Sequence, residues 1–304
     1  MVSFVTRRIA FVAVVYVLIV FTVHLGIRMM PNSELAAPSY DLLHHAQRAW
    51  RETRATLSRV VVRGDWGTIR TARGLTPIND IVWDAYVKSV GLLAVSLTGA
   101  ILAGLATGTI AALVKVRMLT LSLLMVTLIG ISTPAFFAGL LLQLGELGYL
   151  SLFGRRLVSV AGFGWDLEHM LMPALVLAAR PLAYLTRAAF LSLSQVLQED
   201  YIRTAFAKGL SLPRTVVVHA VRNVAVSVLT AVGVSVRFSL STLPVVELFF
   251  AWPGMGRRLL EAIDARQSSV VIALASALGL TFLITNLALD IAYRFIDPRI
   301  REQQ

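Results

Sequence analysis

Val90-Gly-Leu-Leu-Ala-Val-Ser-Leu-Thr-Gly-Ala-Ile-Leu-Ala-Gly-Leu-Ala-Thr-Gly-Thr-Ile-Ala-Ala-Leu-Val114 runs for 25 residues without a charge. As a helix it is about 37 Å long at 1.5 Å per residue, and a bilayer's hydrocarbon core is about 30 Å thick. The stretch is therefore read as a transmembrane helix, and the chain on either side repeats the pattern. Ile9–Val23 is apolar apart from Thr22 and extends to Met30 if His24 and Arg28 sit at the boundary. Met118–Leu142 is uncharged for another 25 residues, and Val270–Leu289 for 20. Two further runs are interrupted: Met170–Val196 by Pro173, Arg180, Pro181 and Arg187, and Asn223–Val246 by Arg237 and Pro244. The reading predicts six spans in an all-α integral membrane protein.

Composition agrees. Of 304 residues, 57% are hydrophobic and 15% charged, with a mean hydropathy of +0.75. Soluble proteins carry about 25% charge, so this chain lacks the polar residues to cover a water-facing globule. The net charge of +11 is assigned to basic loops rather than to nucleic-acid binding, and no nucleic-acid partner is expected. The chain has no cysteine, which excludes disulfides and thiolate sites. No GK[ST] phosphate loop, HExxH pair or GxSxG elbow occurs. No cofactor, metal site or catalytic residue is predicted for the chain itself, which is read as a non-enzyme.

Three regions follow: residues 1–30 (tail and first span), 31–88 (a water-facing segment) and 89–304 (a five-span core). Arg7 and Arg8 before an apolar run fit a signal peptide, but no small-x-small cleavage pattern follows, so an uncleaved anchor is expected. Residues 31–88 hold eight Lys/Arg and six Asp/Glu. Ser39 can cap a helix with Asp41 in its first turn, and Gly64 can stop it. Leu43, Ala46, Trp50, Leu57 and Val61 recur at helical spacing. This predicts a helical subdomain packed on the membrane face, or else a solvated amphipathic loop. With that long segment set aside, 11 Lys/Arg fall on the N-terminal side of the membrane and five opposite. The positive-inside rule then places both termini in the cytoplasm and 31–88 outside.

The loop 197–220 contains Asp200-Tyr-Ile-Arg-Thr-Ala-Phe-Ala-Lys-Gly-Leu210. Ile202, Phe206 and Leu210 form one apolar stripe, with Arg203 and Lys208 away from it. Gly209 allows a sharp exit and Pro213 blocks continuation. A short amphipathic helix results, either resting on headgroups or docking a partner protein.

The motifs Asp200-Tyr-Ile-Arg-Thr-Ala205, Ala207-Lys-Gly-Leu-Ser211 and His219-Ala-Val-Arg-Asn223 resemble the signature loop of permease subunits of ABC importers, in the B-type dipeptide/oligopeptide and nickel branch. Gly64-Asp-Trp-Gly67, Pro77-Ile78, Gly130-Ile-Ser-Thr-Pro-Ala-Phe136 and His169-Met-Leu-Met-Pro-Ala-Leu175 fit the same pattern in order. So do Val246-Glu-Leu-Phe249, Trp252-Pro-Gly-Met-Gly256, Asn286 and Asp297-Pro-Arg-Ile-Arg301. The resemblance implies a type I importer permease of six spans, pairing with a second homologous permease subunit. It implies two ABC ATPase subunits that bind ATP and Mg and dock on residues 200–210, an extracytoplasmic substrate-binding protein, and a peptide substrate. Ile202 and Phe206 would anchor in the ATPase groove, with Arg203 and Lys208 at its rim. Against the family pattern, Phe206 and Phe190 each stand where Arg is frequent, Gln195 replaces Glu, Ser227 replaces a common proline, and Arg266-Gln-Ser-Ser-Val270 is unusual.

An arginine at mid-bilayer costs about 2.5–3.5 kcal/mol on insertion scales, so Arg180 and Arg237 need a partner or a wet cavity. They are read, with Glu247, as translocation-pathway residues attracting a substrate carboxylate; a structural ion pair or snorkelling is the alternative. Gly104 and Gly108 form a GxxxG pair, read as packing within the subunit rather than dimerisation. Trp252, Pro253, Gly254 and Gly256 suggest an outer gate loop, or an ordinary aromatic belt. A nickel or other small-solute importer and an ion-coupled carrier remain the alternative functions.

Overall fold

Six helices among the described residues are long and apolar enough to cross a membrane: Val5–Met29, Ile78–Leu113, Ala135–Phe153, Leu167–Val196, Asn223–Phe249 and Ser268–Arg294. The computed structural model describes residues 2–29, 42–71, 74–114 and 117–296. In chain order the elements are α1 (Val2–Met29), α2 (Leu42–Arg63), β1 (Thr68–Thr71), β2 (Gly74–Pro77), α3 (Ile78–Leu113), α4 (Arg117–Ser132) and α5 (Ala135–Phe153). They continue with α6 (Leu167–Val196), α7 (Asp200–Ala207), α8 (Leu212–Thr215), a π-turn (Val216–Ala220), α9 (Val221–Phe249), α10 (Met255–Asp264) and α11 (Ser268–Ile296). The short antiparallel β1–β2 hairpin, with Thr68 opposite Pro77, is the one departure from helix among the described elements. The expected cap at Ser39 and Asp41, and the Asp297–Arg301 motif, lie outside the described residues.

The count of six holds, but the third span is displaced. Met118–Leu142 is not one helix. Pro134 has no N–H to give and adopts an extended conformation. Thr133 turns back on α4, its N–H (3.0 Å) and hydroxyl (2.7 Å) both donating to the Ile129 carbonyl. The chain restarts as α5, which is the span, while α4 holds only a shorter apolar helix, Thr120–Ser132. The break brings Glu146 into a membrane-length helix, where it is buried and accepts the Leu157 N–H at 2.7 Å. The second span is also longer than expected. Helix α3 starts at Ile78, so the last 11 residues of the 31–88 segment are its first turns.

Contacts divide the chain into two units, Met1–Ser89 with Pro253–Ile291, and Val90–Trp252 with Ala292–Gln304. In the first, α1 packs on α2. Arg28 pairs with Glu52, the His24 ring meets the Thr56 hydroxyl at 3.2 Å, and Phe21 meets Trp50 edge-on. These polar contacts rotate α2 away from the expected stripe. His45, Ala49, Thr53 and Thr56 are buried, whereas Leu43, Trp50 and Val61 are exposed. Small and hydrogen-bonding residues allow the close approach that bulky ones would prevent. Gly64, at φ +62°, ends α2 as expected. Asn79 then ties the turn, accepting the Trp66 N–H and donating to the Gly64 carbonyl. Arg8 and Asp290 join α1 to α11 at 2.9 Å. The core of this unit gathers Ile27, Ile78, Ala85, Met255, Val270 and Leu274.

In the second unit α6 is central. It keeps Pro173 and Pro181 inside one continuous helix, packs against α4, α5 and α9, and meets α3 at Gly104 and Gly108. Its start is capped by Asp166, whose carboxylate accepts the His169 backbone N–H at 2.9 Å and faces the His169 ring at 2.8 Å. Those bonds, the ring contact first, hold the Asp166 carboxyl below the ordinary carboxylate range. Its capping contribution is therefore complete above that range and is lost as pH falls through the lowered value. The GxxxG pair packs within the subunit. A Cβ on Gly108 would overlap the Thr186 carbonyl oxygen, and one on Gly104 would lie 2.9 Å from Leu185 Cβ and 3.0 Å from the Leu182 carbonyl. We expect Gly108→Val to push α3 off α6 and destabilise the detergent-solubilised protein by about 1–3 kcal/mol. A thermal unfolding midpoint equal to wild type would contradict this packing.

Candidate functional site

The loop between α6 and α9 forms a compact turn. Ile202 has no exposed surface and packs with Leu193, Val216 and Ala220. Ala205 is also buried. On the opposite face Asp200, Tyr201, Arg203, Thr204, Phe206, Ala207, Lys208 and Gly209 are exposed, and Leu210 is half-buried. The predicted Ile202–Phe206–Leu210 stripe therefore does not present a single outward face. Ile202 fastens the helix to its own subunit, while Phe206, 42% exposed, and Tyr201 remain on the outside. An eight-residue helix cannot hold itself in water, so this buried anchor is what fixes it.

The helix ends as Gly209 predicts. Gly209 has φ +76°. Its N–H donates to the Phe206 carbonyl at 2.9 Å, and the Leu210 N–H reaches the Ala205 carbonyl at 3.2 Å. This paired pattern is the Schellman closure, which needs a left-handed residue after the cap. A second tie comes from the start of α9, where Asn223 Nδ2 donates to the Tyr201 hydroxyl at 2.6 Å. The fold thus brings together two motifs that lie 22 residues apart. Arg203 leans on Asp200 at 3.4 Å, a fully solvated pair.

In the same unit, α4, α5, α6 and α9 line an open cavity of about 440 Å³, with Arg180, Leu141 and Leu175 exposed along it. Its wall includes Gly130, Thr133, Pro134, Arg180, Phe238 and Ser239. The helix break at Thr133–Pro134 opens it, and Arg180 comes from the proline-flanked middle of α6. Arg180 Nη2 donates to the Ile131 carbonyl at 3.2 Å, and its guanidinium lies 5.2 Å from the Phe238 ring centroid. Arg237 is half-buried and not among the wall residues, and Glu247 is fully buried in α9. The three predicted pathway residues do not converge; only Arg180 borders this cavity. Glu146, which the sequence reading passed over, is held by backbone N–H groups; Asp290 is held by Arg8.

Trp252 is completely buried against Phe163 and Trp165, ring centroids 4.9 and 5.8 Å away. Gly91 makes room for this cluster, since a Cβ there would overlap the Trp165 ring. Pro253, Gly254 and Gly256 belong to the other unit, where Gly254 precedes α10 and Gly256 lies in its first turn. There the Met255 N–H donates to the Ser89 hydroxyl at 2.8 Å.

The described residues thus combine six helices of membrane-spanning length, an arginine bordering a cavity, and a short helix anchored between two of those helices. Residues 104–302 match the family described as the binding-protein-dependent transport system inner membrane component, and the chain belongs to that family. It is similar to the dipeptide transport system permease protein DppB of Haemophilus influenzae, 34% identical over 263 residues, covering 79% of this chain and 78% of that one. It is also similar to the glutathione transport system permease protein GsiC of Escherichia coli K12, 35% identical over 243 residues, covering 79% and 76%. The protein is a multi-pass inner-membrane permease subunit of the ABC importer class. Such subunits work with ATPase and binding-protein partners.

Gly209→Val would force a branched side chain into the left-handed region, at a cost of about 1–3 kcal/mol. We expect it to fray α7 while the six spans stay folded, measured as faster amide exchange at residues 200–210 alone. Unchanged exchange there would rule out the Schellman closure.

Proposed function

We propose that the chain is one of two homologous permease subunits of an ATP-driven importer of short peptides. Its relatives' names cite a dipeptide and glutathione, itself a peptide, and that shared chemistry supports the substrate class. Two ATPases bind ATP and Mg and dock on the 197–220 loop, and this chain binds neither. Both termini lie in the cytoplasm and the 31–88 segment faces the binding protein outside. Arg180 borders the translocation pathway, with Arg237 and Glu247 along α9 acting on its electrostatics. The segment Trp252–Gly256 belongs to the outer gate.

The observation that carries the reading is α7. Its inner face is locked by Ile202, and the exposed Asn223–Tyr201 hydrogen bond ties it to the start of α9, so it moves with its subunit. Its outer face offers Tyr201, Arg203 and Phe206, an aromatic and arginine set of the kind that dominates protein interfaces. A rigid knob of this sort transmits ATPase closure as rigid-body displacement.

In the reconstituted complex, Phe206→Glu should lower substrate-stimulated ATPase and uptake at least about tenfold, as loss of a central aromatic anchor does. The permease should still fold, judged by its unfolding midpoint. Wild-type uptake by this variant, or a wild-type permease that never co-purifies with co-expressed ATPases, would overturn the reading.

A further inference from the structure

The cavity beside the α4–α5 break is more specific than a passage. Arg180 brings a guanidinium, with five N–H donors and no acceptor, to the wall of this space. None of the residues lining the cavity is Asp or Glu. The guanidinium is held from two sides, by the Ile131 carbonyl on α4 and the Phe238 ring on α9. One hydrogen bond to a carbonyl leaves most of its five N–H donors available.

The hydroxyls on the wall sort in the same way. Thr133 donates to Ile129 at 2.7 Å and Thr242 to Phe238 at 2.9 Å, so both are spent on their own helices. Ser239 is not. It is 1% exposed, borders the cavity, and its Oγ has no hydrogen-bond partner. A buried hydroxyl without a partner calls for one. The remaining wall is apolar, with Leu141, Leu142, Leu175 and Val176. At about 440 Å³ the space lies within the range of small-molecule sites.

We propose that this cavity recognises the C-terminal carboxylate of the transported peptide, with Arg180 as its cation and Ser239 as a supporting donor, and the apolar wall receiving the adjoining side chain. The inference rests on the peptide reading above and adds to it the end of the peptide that is read and the residues that read it. A carboxylate accepts bidentate hydrogen bonds from a guanidinium and has lone pairs to spare for a hydroxyl. The group recognised is therefore a carboxylate beside an apolar side chain, as at the C-terminus of a zwitterionic dipeptide.

The test compares Ala-Phe with Ala-Phe-amide in proteoliposomes of the complete transporter, each supplied at a level that saturates the isolated binding protein. Wild type should take up the free acid at least about tenfold faster, the factor carried by one charge-assisted hydrogen bond. R180Q should bring the two rates within about twofold, R180K should keep most of the preference, and S239A should reduce it about threefold. Equal uptake of acid and amide by wild type overturns the proposal, as does an R180Q variant with the wild-type preference. Should R180Q lose uptake of both, S239A decides, an unchanged preference overturning the proposal. A wild-type complex with no ATP-dependent uptake of any peptide would instead refute the peptide reading, and this inference with it.

Discussion

The backbone of α3 lies directly on the backbone of α6, and the second unit is arranged around that approach. Apolar helices in lipid gain little by hiding from solvent, since the tails are as apolar as leucine; they associate through close packing. Gly104 and Gly108 supply the missing side chains on α3, where any Cβ would run into Leu182, Leu185 or Thr186. Gly139 does the same for α5 against Phe249, and a Cβ at Gly130 of α4 would lie 3.3 Å from the Ala179 carbonyl oxygen. Neighbours this close let α6 carry two internal prolines without breaking.

One helix consequently serves both functional regions. Arg180 and Leu193 are 13 positions apart on α6, about 20 Å along its axis. The first borders the cavity and the second joins the cluster that buries Ile202 of α7. Helix α9 repeats the arrangement: Asn223 holds Tyr201 at one end, and Phe238 and Ser239 border the cavity further on. The displayed helix and the cavity wall are thus joined by two continuous helices packed against each other, not by a loop. The cavity itself exists because the chain breaks at Thr133–Pro134, a discontinuity tolerated in a membrane only where the freed backbone groups find protein partners. Arg180 is one such partner, through the Ile131 carbonyl.

Features resting on local chemistry were legible in the sequence. The number of spans follows from uncharged length, the end of α7 from Gly209 in left-handed conformation, and the end of α2 from Gly64. The closeness of α3 to a neighbour follows from two glycines four apart. Features resting on a partner were not legible. Helix α2 has an apolar stripe through Leu43, Trp50 and Val61, yet it turns a face of Ala49, Thr53 and Thr56 to α1. Arg28 and His24, far away in sequence, draw Glu52 and Thr56 to them. Likewise Ile202 and Phe206 share a helix face by spacing alone, and only the groove formed by α6 and the π-turn decides that Ile202 goes in.

By itself, then, the sequence determined a membrane protein of six spans, its lack of a nucleotide or metal motif, and the family whose loop it carries. Hydrophobic length, glycine and proline act within a few residues of themselves, and so need no tertiary information. Only the tertiary structure decided where the third span begins, which face α2 buries, and that Arg180 borders the α4–α5–α6–α9 cavity while Arg237 and Glu247 are not on its wall. Each of those depends on a contact between segments distant in the chain, where one ion pair, one carbonyl or one missing Cβ outweighs the local pattern.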